Sequence, residues 1–155
     1  MNNEEIKKSP INLSDAFPVI EEKLKMGGEV AFKPNGTSML PMLRPGKDSV
    51  IIKKEDKILK NDVVLYKREN GQFVLHRIVG KRKDGYVMRG DNQWFFEKGV
   101  SKQMVIGKMV AFTRNNRRIG CKNIVYIMYI GLSKVLWLSK IVKKVLFKII
   151  KTIKK

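Results

Sequence analysis

The sequence predicts a mainly β fold: one compact β domain with a short N-terminal helix and a C-terminal basic amphipathic helix. Three observations lead there. Short runs rich in Val, Ile, Phe and Tyr recur between turn signals from Glu29 to Thr113. Helical periodicity occurs only before Gly27-Gly28 and after about Lys122. The length, 155 residues with 43% hydrophobic content, suits one domain with a real core and argues against wholesale disorder.

Residues 1–28 read as a lead-in and one short helix. Ser14 or Asp15 can cap it, Phe17, Ile20 and Leu24 share a face, and Gly27-Gly28 stops it after Met26. One short helix is too little for a helix-turn-helix module. Residues 29–120 read as the β domain. Expected strands are Val30 to Phe32, Ser49 to Lys53, Asp62 to Tyr66, Gln72 to Val79, Tyr86 to Arg89 and Val105 to Thr113. Glu69-Asn70-Gly71 and Asp84-Gly85 supply turns between them, and Asn115-Asn116 turns the chain out of the last.

Residues 121–155 read as a helical tail. Lys140, Lys144, Lys148, Lys151 and Lys155 share one helical face, and Leu138, Ile141, Val142, Val145, Leu146, Ile149 and Ile153 occupy much of the rest. The longest charge-free run, Asn123 to Ser133, has 11 residues, where a membrane span needs about 20. The expectation is a helix lying in a membrane interface with snorkelling lysines. A true span and a helix packed on the domain with a solvated Lys face are the alternatives.

The formal net charge is +19, which first suggests nucleic acid or an anionic membrane. The charge is uneven: residues 98–155 hold 15 Lys and Arg and no acid, while residues 1–97 hold 18 basic and 14 acidic residues. The tail interleaves its lysines with a broad apolar face, and no aromatic stacking platform is evident on a basic sheet, so no specific nucleic acid is expected. The partner expected for residues 122–155 is an anionic membrane surface. One Cys and one His exclude an internal disulfide framework and Cys-rich or multi-histidine metal sites; no metal and no cofactor is expected. Cys121 reads as a small buried residue, with a reactive or palmitoylated thiol as the alternative. The N-terminus shows no apolar signal region. The expected location is therefore a membrane's cytoplasmic face, with an extracytoplasmic catalytic domain as the alternative.

Three segments can carry chemistry. Asn35-Gly36-Thr37-Ser38-Met39-Leu40-Pro41 holds a small hydroxyl residue in tight Gly/Pro geometry. That suits a nucleophile beside backbone N–H groups, and equally an ordinary turn. Alternation puts His76 on the strand face of Val74 and Ile78, as a core histidine or as a general base. Arg89-Gly90-Asp91-Asn92 is ordinary turn chemistry that can also place a carboxylate to orient an imidazole.

Together, in order, these segments resemble the superfamily of membrane signal peptidases and self-cleaving repressor peptidases. Gly36-Thr37-Ser38-Met39-Leu40-Pro41 is similar to its nucleophile box. Pro45-Gly46-Lys47-Asp48-Ser49-Val50 and Asn61-Asp62-Val63-Val64 resemble its acidic turns and strands. His76-Arg77-Ile78-Val79-Gly80 resembles the base box of the branch that uses His rather than Lys. Gly90-Asp91-Asn92 and Ile106-Gly107-Lys108 complete the set, over residues 29–113.

The resemblance implies a signal-peptidase-like serine endopeptidase acting on a polypeptide, with Ser38 as nucleophile and His76 as base. Asp91 matches the family's box acid, and Glu97 is the carboxylate nearest the place of a second family acid; which of them orients His76 stays open. Gly36 and the Ser38 N–H match the oxyanion hole, and Met39 matches a residue that shapes the substrate pocket. Activity is expected to fall as His76 protonates below neutrality. A catalytically inactive peptide-binding relative and, less so, a nucleic-acid binder are the competing expectations.

Overall fold

The computed structural model describes the backbone of residues 13–153 and the side chains of residues 16–135 and 137–139. In chain order it comprises α1 (Leu13–Lys25), β1 (Glu29–Phe32), β2 (Ser49–Lys53), β3 (Val63–Lys67), β4 (Phe73–Arg82) and β5 (Gly85–Arg89). There follow β6 (Glu97–Val100), a 3-10 turn (Lys102–Met104), β7 (Val105–Arg114), β8 (Arg117–Gly120) and α2 (Ile124–Ile153). The predicted mainly β architecture with a helix at each end is observed.

All described strand pairs are antiparallel, in the order β1-β2-β7-β3-β4-β5-β6. β7 is the hub. Lys108 pairs with Lys53 of β2 on one edge and with Val64 of β3 on the other. Further along the β3 edge, Ala111 to Arg114 pair with β8.

β3 is buried on both faces, and its alternation divides two cores. Val63 and Leu65 join Leu24, Met39, Leu43, Val50, Ile52, Phe112 and Tyr126. Val64 and Tyr66 join Ile78, Tyr86, Met88 and Val100. Burial of about a dozen large apolar side chains in the first core, at roughly 1.5–3 kcal/mol each, is what orders the sheet around the loop between β1 and β2. α1 contributes Leu24 to it; Gly27, with φ +77°, ends the helix as the Gly pair predicts.

Three elements differ from the sequence reading. β4 runs to Arg82 instead of ending at Val79, because the β4–β5 hairpin pairs Lys81 and Arg82 with Tyr86 and Gly85. β6 and β8 are additional strands. Asn115 and Asn116 both have positive φ, so this turn closes a β7–β8 hairpin instead of leaving the sheet.

α2 begins where the tail was expected. Tyr126, Tyr129, Ile130, Ser133 and Trp137 lie on its covered side, and Tyr126 enters the first core. The opposite side exposes Ile124, Val125, Ile127, Met128, Leu132, Val135 and Leu138. The packed-helix alternative anticipated solvated lysine on this side, but between Ile124 and Leu138 it carries only Lys134. The side chains of Lys140, Lys144, Lys148 and Lys151, and all of Lys155, lie outside the described residues. Among the described residues no helix is long and apolar enough to cross a membrane.

Candidate active site

Ser38 lies in the long connection from β1 to β2, and two sets of contacts fix that connection. The first is Asp48, whose side chain is fully buried. It accepts from the Arg44 backbone N–H (2.9 Å) and side chain (2.7 Å to Oδ1), and from Arg114 of β7 (3.0 Å). Arg114 also donates to the carbonyl of Met42. These donors outweigh burial and hold the Asp48 carboxyl far below its usual range. The Gly46 N–H closes the loop onto the carbonyl of Pro34 (3.0 Å).

The second set is the Gly90-Asp91-Asn92 turn. The Asn92 N–H donates to the Ser38 carbonyl (2.7 Å), and its side-chain amide donates to the Thr37 carbonyl (3.3 Å). Gly90 lies so close that a Cβ there would meet the Ser38 carbonyl oxygen at 2.7 Å and the Ser38 Cβ at 2.9 Å. A glycine is therefore required sterically. Gly36 is the opposite case: it is exposed, with nothing within 4 Å of a built Cβ. Ser38 itself is half-buried, and Met39 is buried in the first core beside Met42 and Leu43.

His76 sits in β4, directly across from Val64. Arg77 pairs with Arg89, the last residue of β5, so His76 and the Gly90 turn lie at the same end of the β4–β5 pair. Gly90 thus has Ser38 against it and directly follows Arg89, the partner of His76's neighbour Arg77. The imidazole is 3% exposed. Burial is the largest influence on it and drives its pKa down to about 4, against the raising effect of Glu97. The ring is therefore neutral over the physiological range.

The two candidate acids occupy different surroundings. Asp91 accepts from Arg77 twice, each at 2.7 Å, and from the Tyr129 hydroxyl at 3.1 Å. Arg77 also donates to the Asn61 carbonyl and the Tyr126 hydroxyl. Glu97 accepts from Arg68 (Nε, 2.8 Å) and from the Tyr66 hydroxyl (2.7 Å). The hydroxyl of Tyr66 is in turn 3.3 Å from His76 Nδ1. The Arg68 contact, the largest influence, lowers the Glu97 pKa. Tyr66, Arg68, Arg77, Tyr126 and Tyr129 were not singled out as partners from sequence. The strand pattern around Tyr66 reads only as a buried run, and nothing in the tail points to Asp91.

Among the described residues no group of His, Cys, Asp and Glu is arranged to hold a metal. A cleft of about 340 Å³, lined by Phe17, Leu24, Arg68, Met104 and Ile106 among others, lies between α1 and the sheet and includes neither Ser38 nor His76. Cys121 is half-buried against the Met109 carbonyl, and burial raises its thiol to about 11. That shift favours the protonated thiol at neutral pH.

No curated protein matches the chain. The family described as Peptidase S24-like matches residues 3–110, well over half of the length. By that match, and by the antiparallel domain that carries Ser38, the protein belongs to the Peptidase S24-like family and has a serine-peptidase-like fold.

Proposed function

We propose that the protein is a membrane-associated serine endopeptidase of the signal-peptidase-like type, cleaving a leader or another membrane-associated polypeptide. The observation that carries this reading is the Gly90 turn: it is bonded to Ser38, and it directly follows Arg89, which pairs with Arg77 beside the histidine. Ser38 Oγ attacks the scissile carbonyl carbon and its proton passes to His76 Nε2. The Ser38 N–H and the backbone at Gly36 stabilise the oxyanion. Collapse breaks the C–N bond, His76 protonates the leaving amine, and water then hydrolyses the acyl-Ser38 ester by the same route.

The tail supports a membrane setting. The exposed side of α2 from Ile124 to Leu138 is apolar apart from Lys134, and the sequence beyond it is rich in lysine. A surface of this kind suits the boundary of an anionic bilayer, each nearby Lys adding about 1 kcal/mol.

The test is cleavage of a panel of fluorogenic peptides by wild-type protein, Ser38→Ala and His76→Ala, with and without anionic vesicles. Loss of cleavage in both variants is expected. Equal rates in all three would overturn the catalytic assignment, and peptide binding without turnover by wild-type protein would favour an inactive binding relative. For the tail, the full chain should float with anionic vesicles, and Val125→Glu with Leu132→Glu should weaken flotation. Those exposed positions are preferable to truncation at residue 122, which would remove Tyr126 from the core.

A further inference from the structure

Asp91 and Glu97 are both bonded to groups other than the His76 ring. The structure offers a different link. Tyr66 and His76 are diagonal neighbours on one face of β3 and β4: Tyr66 pairs with Val74, two residues before His76. The Tyr66 side chain is completely buried in the second core. Its hydroxyl is 2.7 Å from Glu97 on β6 and 3.3 Å from His76 Nδ1, with the Arg68 guanidinium also beside it.

One proton on that hydroxyl decides the direction of both bonds. Glu97 is bound to Arg68 through both carboxylate oxygens. An ionised carboxylate can only accept, so the Tyr66 proton goes to Glu97. The Tyr66 oxygen then has only lone pairs to offer His76 Nδ1, and a hydrogen bond there requires Nδ1 to carry the hydrogen. In the neutral ring this leaves Nε2 unprotonated, the state a general base must be in. The 3.3 Å separation is long for an N–H···O bond, as such contacts often are before substrate binds.

We propose that Tyr66 is the positioning residue of this site. It links the Glu97–Arg68 pair to His76 and fixes the imidazole as the Nδ1–H tautomer, the task a directly bonded aspartate performs in other serine peptidases. The proposal rests on His76 being the base, and it extends that reading with a Tyr-Glu relay. Asp91 is assigned a different task, holding the turn that contacts Ser38.

Because His76 is the sole histidine, histidine labelled with ¹⁵N gives one pair of ring signals without assignment. In the full-length protein at neutral pH, Nδ1 should appear protonated and Nε2 unprotonated. Tyr66→Phe keeps the buried ring and removes only the oxygen; it should give a mixture of tautomers. It should also lower kcat on the peptide panel by about a hundredfold with KM little changed. Glu97→Gln is the second variant. Arg68, which has only donors, takes the amide oxygen and turns the NH₂ toward Tyr66. The hydroxyl then donates to Nδ1, and the ring should switch to Nε2–H with a comparable loss of kcat. A wild-type Nε2–H tautomer, or an unchanged tautomer and kcat in Tyr66→Phe, would overturn the relay. Undiminished cleavage by Ser38→Ala would instead sink the active-site reading, and leave the tautomer result standing by itself.

Discussion

His76 and Arg77 are adjacent in β4 and point to opposite faces of the sheet, into two different electrostatic settings. On the Arg77 face, a buried guanidinium and the buried Asp91 bind each other at two points, and α2 supplies two tyrosine hydroxyls that complete the cluster. On the His76 face, a neutral buried ring meets a buried phenol, and the charge is held further out, on the partly exposed Glu97 and Arg68. Both faces carry a family-box residue and a carboxylate. Asp91 is held by the buried Arg77 and by Tyr129, whereas Glu97, paired with Arg68, also accepts from the phenol that contacts His76. Burial and partners separate the two, and motif membership does not.

The largest effects should come from unbalancing the Arg77 face. Asp91→Asn leaves a buried guanidinium without its counter-charge and should cost about 3–5 kcal/mol in equilibrium unfolding. Glu97→Gln, at a partly exposed pair, should cost about 1 kcal/mol or less. Equal costs would erase the distinction between the faces.

The second effect belongs to the His76 face and is read against pH. The folded pKa is lowered from 6.5 to about 4, so the unfolded chain binds the proton more tightly. The stability is complete above about pH 6.5 and is lost as pH falls toward 4, by roughly 3 kcal/mol. The lowered carboxyls of Asp48 and Glu97 act in the same direction but at more acid pH. His76→Gln should flatten the stability curve between pH 4.5 and 6.5, while Arg77, held charged, adds no slope there.

A smaller contrast concerns how the Ser38 segment is held. Gly90→Ala must displace the Ser38 backbone and should cost about 1–3 kcal/mol along with peptidase activity. Gly36→Ala meets open space and should stay within about 0.5 kcal/mol. Smallest of all, Cys121 should label slowly with iodoacetamide at neutral pH in the folded protein, since its thiol titrates near 11.

Much of the sheet was legible in the sequence because β2, β3, β4, β5 and β7 are built from apolar runs bounded by turn residues. β6 (Glu-Lys-Gly-Val) and β8 (Arg-Arg-Ile-Gly) escaped notice because their residues are largely charged and exposed. They are strands because a neighbour, β5 or β7, offers an unpaired edge at the right register. The same logic explains why Asn115-Asn116 reads as an exit but closes a hairpin.

The sequence by itself determined the mainly β class, the helices at both ends, the split of charge toward the tail, and the segments around Ser38, His76 and Gly90. These are local properties: periodicity, turn chemistry and motif spacing act within about ten residues. Only the tertiary structure decided which carboxylate faces which base. Asp91 and Arg77 are 14 residues apart, Tyr66 and Glu97 are 31, and Tyr129 lies 38 from Asp91. Such pairings depend on how the sheet curls and where α2 docks, and one residue's shift in strand register would exchange the two faces of β4.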